Sequence, residues 1–565
     1  TMKTLALLFA ALFLVIFVAS TSATNIKLST KQQSVLKMQP DGMNCAVCSA
    51  LVMEVERIID MGHDNIKGGM KKVCKLFPGS VGKACEAIAA TFGDHMIDLV
   101  NSKLDPDVIC HKISMCDKCH VVQPKSHLNA YYNGEYKAKA DHQEVQHMVR
   151  QLAAVYLNQF KLLKKQFRRP PTPEKNLDPS RLFDFDGDSF ATVRGVPRGA
   201  YWKGKDCNDL DKHSHPGVYE HNKILDKNCN GVHGKTKLIT GDSYEDKYCN
   251  SYEHDRQVFF FGDSASAGFS INAEWLELKN MSQLLKGVVN EFSWPEKAFT
   301  SGSDAETEES LLKEFVGHNR CAKEQFQNVA FSGAMMVDLP NQIKYLHSRQ
   351  DEKIKPALVF IGYVGNDVCE DSLEEMTSAK DFRAGLEEGL RLLDEKLPAN
   401  SRVVVFSLVD GEILFDHMHD KIHPISTKNI QITYEQFYDF LSCTGLNPCR
   451  TWLSTNETLR KATSAHARVL DSVIDDVVAN NKYTHFKAAS FSFTNLIDEG
   501  FKILEQRGKN PSDLINKIDG FHPSLDVGHP IIARVMWDHL LHDWGEDFLG
   551  PANPHNEAII KRFGH

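Results

Sequence analysis

Val258-Phe259-Phe260-Phe261-Gly262-Asp263-Ser264-Ala265-Ser266-Ala267-Gly268 reads as a strand that runs into a tight turn. Its first four residues, all apolar and three of them aromatic, have the length and composition of a buried strand. The small residues that follow allow a sharp strand-to-helix turn, which exposes the Ser264 hydroxyl at the carboxyl edge of a sheet, where open α/β folds put their sites. Gly-Asp-Ser alone is weak evidence. Further along, Asp519-Gly520-Phe521-His522-Pro523 supplies an imidazole with a carboxylate three residues earlier, so that Asp519 can orient His522 while His522 takes the proton of Ser264. Between these blocks, Ser332-Gly333-Ala334 and, after the strand-like run 357–361, Val364-Gly365-Asn366-Asp367 offer a backbone N–H and a side-chain amide for an oxyanion hole.

This order of blocks resembles the GDSL (SGNH) esterase and lipase family. The resemblance implies an α/β/α sandwich with a parallel sheet over residues 251–548. It also implies Ser264 as nucleophile and first oxyanion donor, Gly333 and Asn366 as second and third donors, and Asp519 with His522 completing the triad. Two positions depart from the family pattern. Ala265 stands where many members have Leu, a packing difference, and Val364 replaces the Gly of G-x-N-D, so that only Asn366 and Asp367 carry that block. Asp420-Lys421-Ile422-His423 is a second D-x-x-H and a rival base. The family order and the helix-like run 531–541 favour Asp519 and His522.

The rest of the chain sets the context. Its 565 residues allow several domains, and 42% hydrophobic content excludes a disordered protein. A net charge of −9 provides no basic field for a nucleic-acid partner. After Met2 and Lys3, the apolar run 5–18 and the small residues 19–23 read as a signal peptide over 1–23; the alternative is a membrane anchor, for which the run is short. A secreted protein, or one of a lysosomal or vesicular lumen, is therefore expected, in a compartment where cysteines pair. Asn280 and Asn456 open N-x-S/T sequons and are candidate glycosylation sites.

Fourteen cysteines divide into seven before residue 150 and seven after it. If all are oxidised within one chain, at least one bridge joins the halves. Cys45, Cys48, Cys74, Cys85, Cys110 and Cys116 accompany apolar residues at helical spacing, such as Val47, Leu51, Val55 and Ile58, but six cysteines permit fifteen connectivities. Residues 41–120 resemble a saposin B-type domain. That resemblance implies a small all-α fold with nested bridges Cys45–Cys116, Cys48–Cys110 and Cys74–Cys85. It also implies an apolar concavity that binds lipid and touches membranes or micelles peripherally. Cys119 is surplus to the six and is the candidate for the crossing bridge, to Cys449 or Cys443. Residues 121–180 read as a linker, basic from Lys161 to Arg169 and then rich in proline, either processed or simply solvated.

Over 181–250, side-chain oxygens recur at alternate positions: Asp184, Asp186 and Asp188; then Asp206, Asn208, Asp209 and Asp211; then Asp226, Asn228 and Asn230. Hard oxygens in such number suit calcium in a structural role, against the alternative of solvated acidic turns without an ion. A true EF-hand would need Glu at the twelfth loop position, where Gly195 and Lys237 stand. The paired loops instead resemble metal-binding repeats of secreted proteins, with Cys207 and Cys229 expected to pin them together. A saposin-like module, a calcium segment and a GDSL hydrolase in one secreted chain together resemble the acyloxyacyl hydrolase family. This implies removal of secondary, acyloxyacyl-linked fatty chains from the lipid A of bacterial lipopolysaccharide, detoxifying it, with other acylated lipids as further partners. The residues themselves support a secreted serine esterase acting on an amphiphile. A phospholipase or lysophospholipase with the same triad, and a lipid-transfer protein with an inactive hydrolase domain, stay open.

Overall fold

The computed structural model describes residues 184–188, 190–191, 202–218, 224–237, 240–271, 292–346, 355–424, 426, 431–444, 447–480, 482–542 and 544–565, together with Val52 and Ile109. The expected signal peptide, the six saposin-like cysteines, Cys119, the linker, Asn280 and the side chain of Cys443 lie outside the described residues.

Among the described residues six strands form one sheet: β1 (Trp202–Lys203), β2 (Gln257–Gly262), β3 (Phe326–Asn328), β4 (Ala357–Gly362), β5 (Ser401–Phe406) and β6 (Phe486–Phe491), in the order β1-β3-β2-β4-β5-β6. β1 runs antiparallel to β3, and every other pairing is parallel. β2, β4 and β5 are buried along their whole length, which is why they read as continuous apolar runs and not as alternation. Phe260 stacks on Phe360, and Phe360 on Phe406, so an aromatic row crosses these three strands.

Among the described residues the α-helices are α1 (Ser264–Ala267), α2 (Leu311–His318), α3 (Leu339–Lys344), α4 (Ala379–Lys396), α5 (Glu412–Met418), α6 (Tyr434–Thr444), α7 (Glu457–Asn480), α8 (Phe493–Gln506), α9 (Gly528–His542), α10 (Gly545–Phe548) and α11 (Asn556–Phe563). α4 packs on α3 and α7, while α9 packs on α2 and α8. From β2 the chain moves through α2 to β3 on one side; it then returns past β2 to β4 and continues outward to β5 and β6. Right-handed crossovers in opposed directions place the two helix groups on opposite faces, giving the expected α/β/α sandwich. The direction reverses between β2 and β4. At such a switch point the loops leaving the carboxyl ends splay apart and open a crevice. Ser264 follows β2, and Asn366 follows β4.

Among the described residues there are three disulfides: Cys207–Cys229 as expected, Cys249–Cys321 and Cys369–Cys449. The last corrects one expectation. Cys449 is fully buried and bonded to Cys369, in the loop after β4, and so has no sulfur left for Cys119. Among the described residues no cysteine is free, and no helix is long and apolar enough to cross a membrane.

Candidate active site

Gly262 ends β2 at φ +149°, where a Cβ would lie 2.2 Å from the Gly362 carbonyl oxygen of the neighbouring strand. Only glycine fits that approach. Gln342 on α3 holds the residue from both sides: its Oε1 accepts the Gly262 N–H at 2.9 Å and its Nε2 donates to the Gly262 carbonyl at 2.8 Å. Asp263 caps α1, with Oδ1 accepting the Ala265 N–H, while its Oδ2 accepts the Val364 N–H at 2.8 Å and so ties the serine turn to the loop after β4. Burial pushes the Asp263 carboxyl up to about 6, against the pull of these N–H donors and of His522.

Ser264, 7% exposed, opens α1. His522 Nε2 lies 2.9 Å from Ser264 Oγ, and its Nδ1 lies 2.8 Å from Asp519 Oδ2. The imidazole sits between the Phe269 ring, 4.3 Å away, and the edge-on Phe521 ring. Asp519 Oδ1 accepts the N–H groups of Phe521 and His522, so its three-residue spacing from His522 closes a compact turn. A donor at Nδ1 and a lone pair at Nε2 is the tautomer that can accept the serine proton. The rival pair does not form. Asp420 lies beside Lys421, and His423 Nε2 donates to the Ile518 carbonyl.

Asn366 Nδ2 donates to the Ala334 carbonyl at 3.0 Å, which joins the loops after β3 and β4, and Gly333 turns at φ +80°. One of the two amide hydrogens of Asn366 stays available. No acceptor among the described residues takes the N–H of Ser264 or Gly333. Beside Ser264 a partly open cleft is walled by Val409, Leu414, Phe493, Ile497, Leu514 and Phe521. Its polar side chains are those of Asp263, Ser264, Asn366 and His522, and the lining is otherwise largely apolar. Gln342 and Asn516 went unread in the sequence. Asn516 accepts the N–H groups of Ile518 and Asp519 on its Oδ1, and its Nδ2 donates to Ser270 Oγ and the Ile271 carbonyl just after α1. The Asn three residues before Asp519 was the available signal.

A family model for the saposin-like domain matches residues 44–161, and one for GDSL-like lipase/acylhydrolase matches 258–536. The acyloxyacyl hydrolase of Mus musculus is 31% identical over 547 residues, covering 93% of both chains, and that of Homo sapiens is 30% identical over 549 residues with the same coverage. The chain belongs to the acyloxyacyl hydrolase family. Saposin-C of Cavia porcellus is 27% identical over 78 residues, 14% of this chain and 96% of that protein. As an acyloxyacyl hydrolase relative with a GDSL domain, the chain is a carboxylic ester hydrolase that deacylates lipid and carries a lipid-interacting domain.

This acyloxyacyl hydrolase family member also gathers carboxylates ahead of its sheet. Asp184, Asp186 and Asp188 come together, as do Asp186, Asp206 and Asp209. In Asp186, Asp188, Asp206 and Asp209, Oδ1 accepts a backbone N–H, whereas the buried Oδ2 has no hydrogen-bond partner among the described residues. Burial and neighbouring carboxylates push Asp188 up to about 7 and Asp206 to about 6. Four orphaned hard oxygens fit a calcium ion far better than zinc. The other expected ligands are placed differently. Asp211 accepts Ser214 Oγ and pairs with Lys227; Asn208 is exposed; Asn228 and Asn230 donate their amides to the buried Glu245, an acid the sequence reading passed over. Asp226 keeps one buried oxygen, Oδ1, without a partner. Asn456 is exposed at the start of α7, where its Oδ1 accepts the Leu459 N–H and leaves Nδ2 to solvent.

Proposed function

We propose that this protein is a secreted esterase that removes secondary, acyloxyacyl-linked fatty chains from the lipid A of bacterial lipopolysaccharide. The observation that carries the reading is the unbroken chain Ser264–His522–Asp519 opening on an apolar cleft. Ser264 Oγ attacks the ester carbonyl as His522 Nε2 takes its proton, while Asp519 holds Nδ1–H and stabilises the imidazolium. The N–H groups of Ser264 and Gly333 and the second amide hydrogen of Asn366 receive the developing oxyanion. As the tetrahedral intermediate collapses, His522 returns the proton to the leaving hydroxyl of the hydroxyacyl chain, and water repeats the cycle on the acyl-enzyme. A fatty chain suits the cleft because each buried methylene contributes about 0.8 kcal/mol. Asp184, Asp186, Asp188, Asp206 and Asp209 would hold calcium, which supplies charge neutralisation to the folded segment and no step of the ester chemistry.

The test is release of fatty acids from purified lipopolysaccharide, followed by mass spectrometry, with phospholipid vesicles in parallel. Wild-type protein should release the secondary chains, and Ser264→Ala should lower the rate by roughly 10⁴-fold or more. Near-normal turnover in the variant would sink the mechanism, and release from phospholipid alone would replace the substrate.

A further inference from the structure

The turn that presents Asp519 is gripped from outside by a single stretch of chain. His423 Nε2 donates to the Ile518 carbonyl at 2.9 Å, Tyr434 Oη to the Lys517 carbonyl at 2.5 Å and Tyr438 Oη to the Gly520 carbonyl at 2.8 Å. The carbonyls on both sides of Asp519 are therefore taken by donors from residues 423–438. The N–H side of the turn is filled from within, by Asn516 and by Asp519 itself. His423 stacks on Phe437 and meets Tyr434 edge-on, so the donors also brace each other. The fit is tight at Gly520, whose φ is +62°: a Cβ there would lie 2.3 Å from Tyr438 Oη and 2.8 Å from Tyr434 Cδ1.

All three donors are buried, His423 and Tyr434 to 2% exposure and Tyr438 completely. Burial pushes both tyrosine hydroxyls up and His423 down to about 4, so near neutral pH each remains an uncharged donor. Among the described residues, the ionisable groups facing the Asp519–His522 pair are these three on the Asp519 side, with Asp263 and His529 on the His522 side. Among the described residues the ion-pair partner of Asp519 is His522 itself, with no Lys or Arg paired to it. Its alignment then depends on where the turn is held, and a misplacement of about 1 Å in a catalytic constellation can cost on the order of 10²-fold.

We propose that His423, Tyr434 and Tyr438 are positioning residues: by holding the carbonyls of residues 517, 518 and 520 they fix the turn on which Asp519 meets His522. The proposal rests on the triad reading above. It is tested with Tyr434→Phe/Tyr438→Phe, His423→Phe and His423→Gln, a short soluble ester, and the downfield Nδ1 proton resonance of His522. The double tyrosine variant should lose about 10- to 100-fold in kcat, with KM changed by no more than about twofold. The acid limb of its kcat/KM profile should move to lower pH, because a misaligned carboxylate stabilises the imidazolium less, and the downfield resonance should weaken. His423→Gln, whose amide can reach the same carbonyl, should recover most of the activity that His423→Phe loses. An unchanged kcat and acid limb in the double variant overturns the proposal. So does a loss of kcat that leaves the acid limb and the resonance unmoved, since that is general loosening of the fold. The resonance needs no turnover, so failure of the triad reading, seen as an inert wild-type protein, is distinguishable from failure of the clamp.

Discussion

His529 lies at the start of α9 with no exposure, and its Nδ1 accepts the Phe299 N–H at 2.9 Å. Burial pushes its pKa down to about 3, whereas in an unfolded chain it titrates at about 6.5. As pH falls, the unfolded state therefore gains its proton first. The stability that the neutral ring supports is complete above about pH 6.5 and is lost toward pH 3. Asp263 and Asp367, raised to about 6 and about 7, act in the opposite sense, so the bare slope of the wild type mixes the two. His529→Gln keeps an acceptor for Phe299 but has no titration. Between pH 6.5 and 4, urea unfolding should show the wild type losing about 3 kcal/mol more than this variant; parallel slopes would refute the assignment. Ser264, His522 and Asp519 were legible because short motifs carry their chemistry. Gln342 and Asn516 were not, since an amide becomes a brace only when the fold delivers a backbone to it, for Asn516 the Ile271 carbonyl 245 residues away.

Among elements, the buried strands announced themselves: the run at 258–261 became β2, one residue longer at each end, and the run at 357–361 became β4, one residue longer at its end. The oxygen-rich loops were visible by composition but not by aim. Alternation places oxygens on a turn, yet whether they face an ion or a buried acid depends on what packs behind, and Glu245 behind Asn228 and Asn230 decides it there. Disulfide partners were equally hidden, because spacing does not select a connectivity. Cys369 and Cys449 are 80 residues apart, and closing a loop of that length restricts the unfolded chain by about 4.5 kcal/mol in the chain-entropy picture. Cys369 also stands three residues after Asn366. Replacing both cysteines by serine should lower stability by about 4 kcal/mol and reduce kcat as well. Calorimetry and ester kinetics check both, and a drop in melting temperature with kcat intact would separate the bridge from the oxyanion loop.

For the molecule as a whole, the three described bridges consume six of the seven later cysteines, which leaves Cys443 by count for the partner of Cys119. Non-reducing peptide mapping should recover Cys119 joined to the Cys443 peptide, and a free Cys119 thiol would end that expectation. If the carboxylates of Asp184, Asp186, Asp188, Asp206 and Asp209 hold calcium as proposed, chelation should lower the melting temperature, since an ion at 100 times its Kd contributes about 2.7 kcal/mol to the folded state. Turnover on a soluble ester should outlast chelation while the fold persists; instant, reversible loss with no thermal shift would point to a catalytic ion. The triad itself has a further consequence, for synthesis. Ser264 and His522 are 258 residues apart, and at about 5 to 20 residues per second a ribosome needs about 10 to 50 s to travel from one codon to the other. Throughout that interval the emerging chain has a nucleophile and no base. An esterase built this way is synthesised as a chemically silent polypeptide, and acquires its reactivity only once the chain through His522 has been made and has folded back onto Ser264.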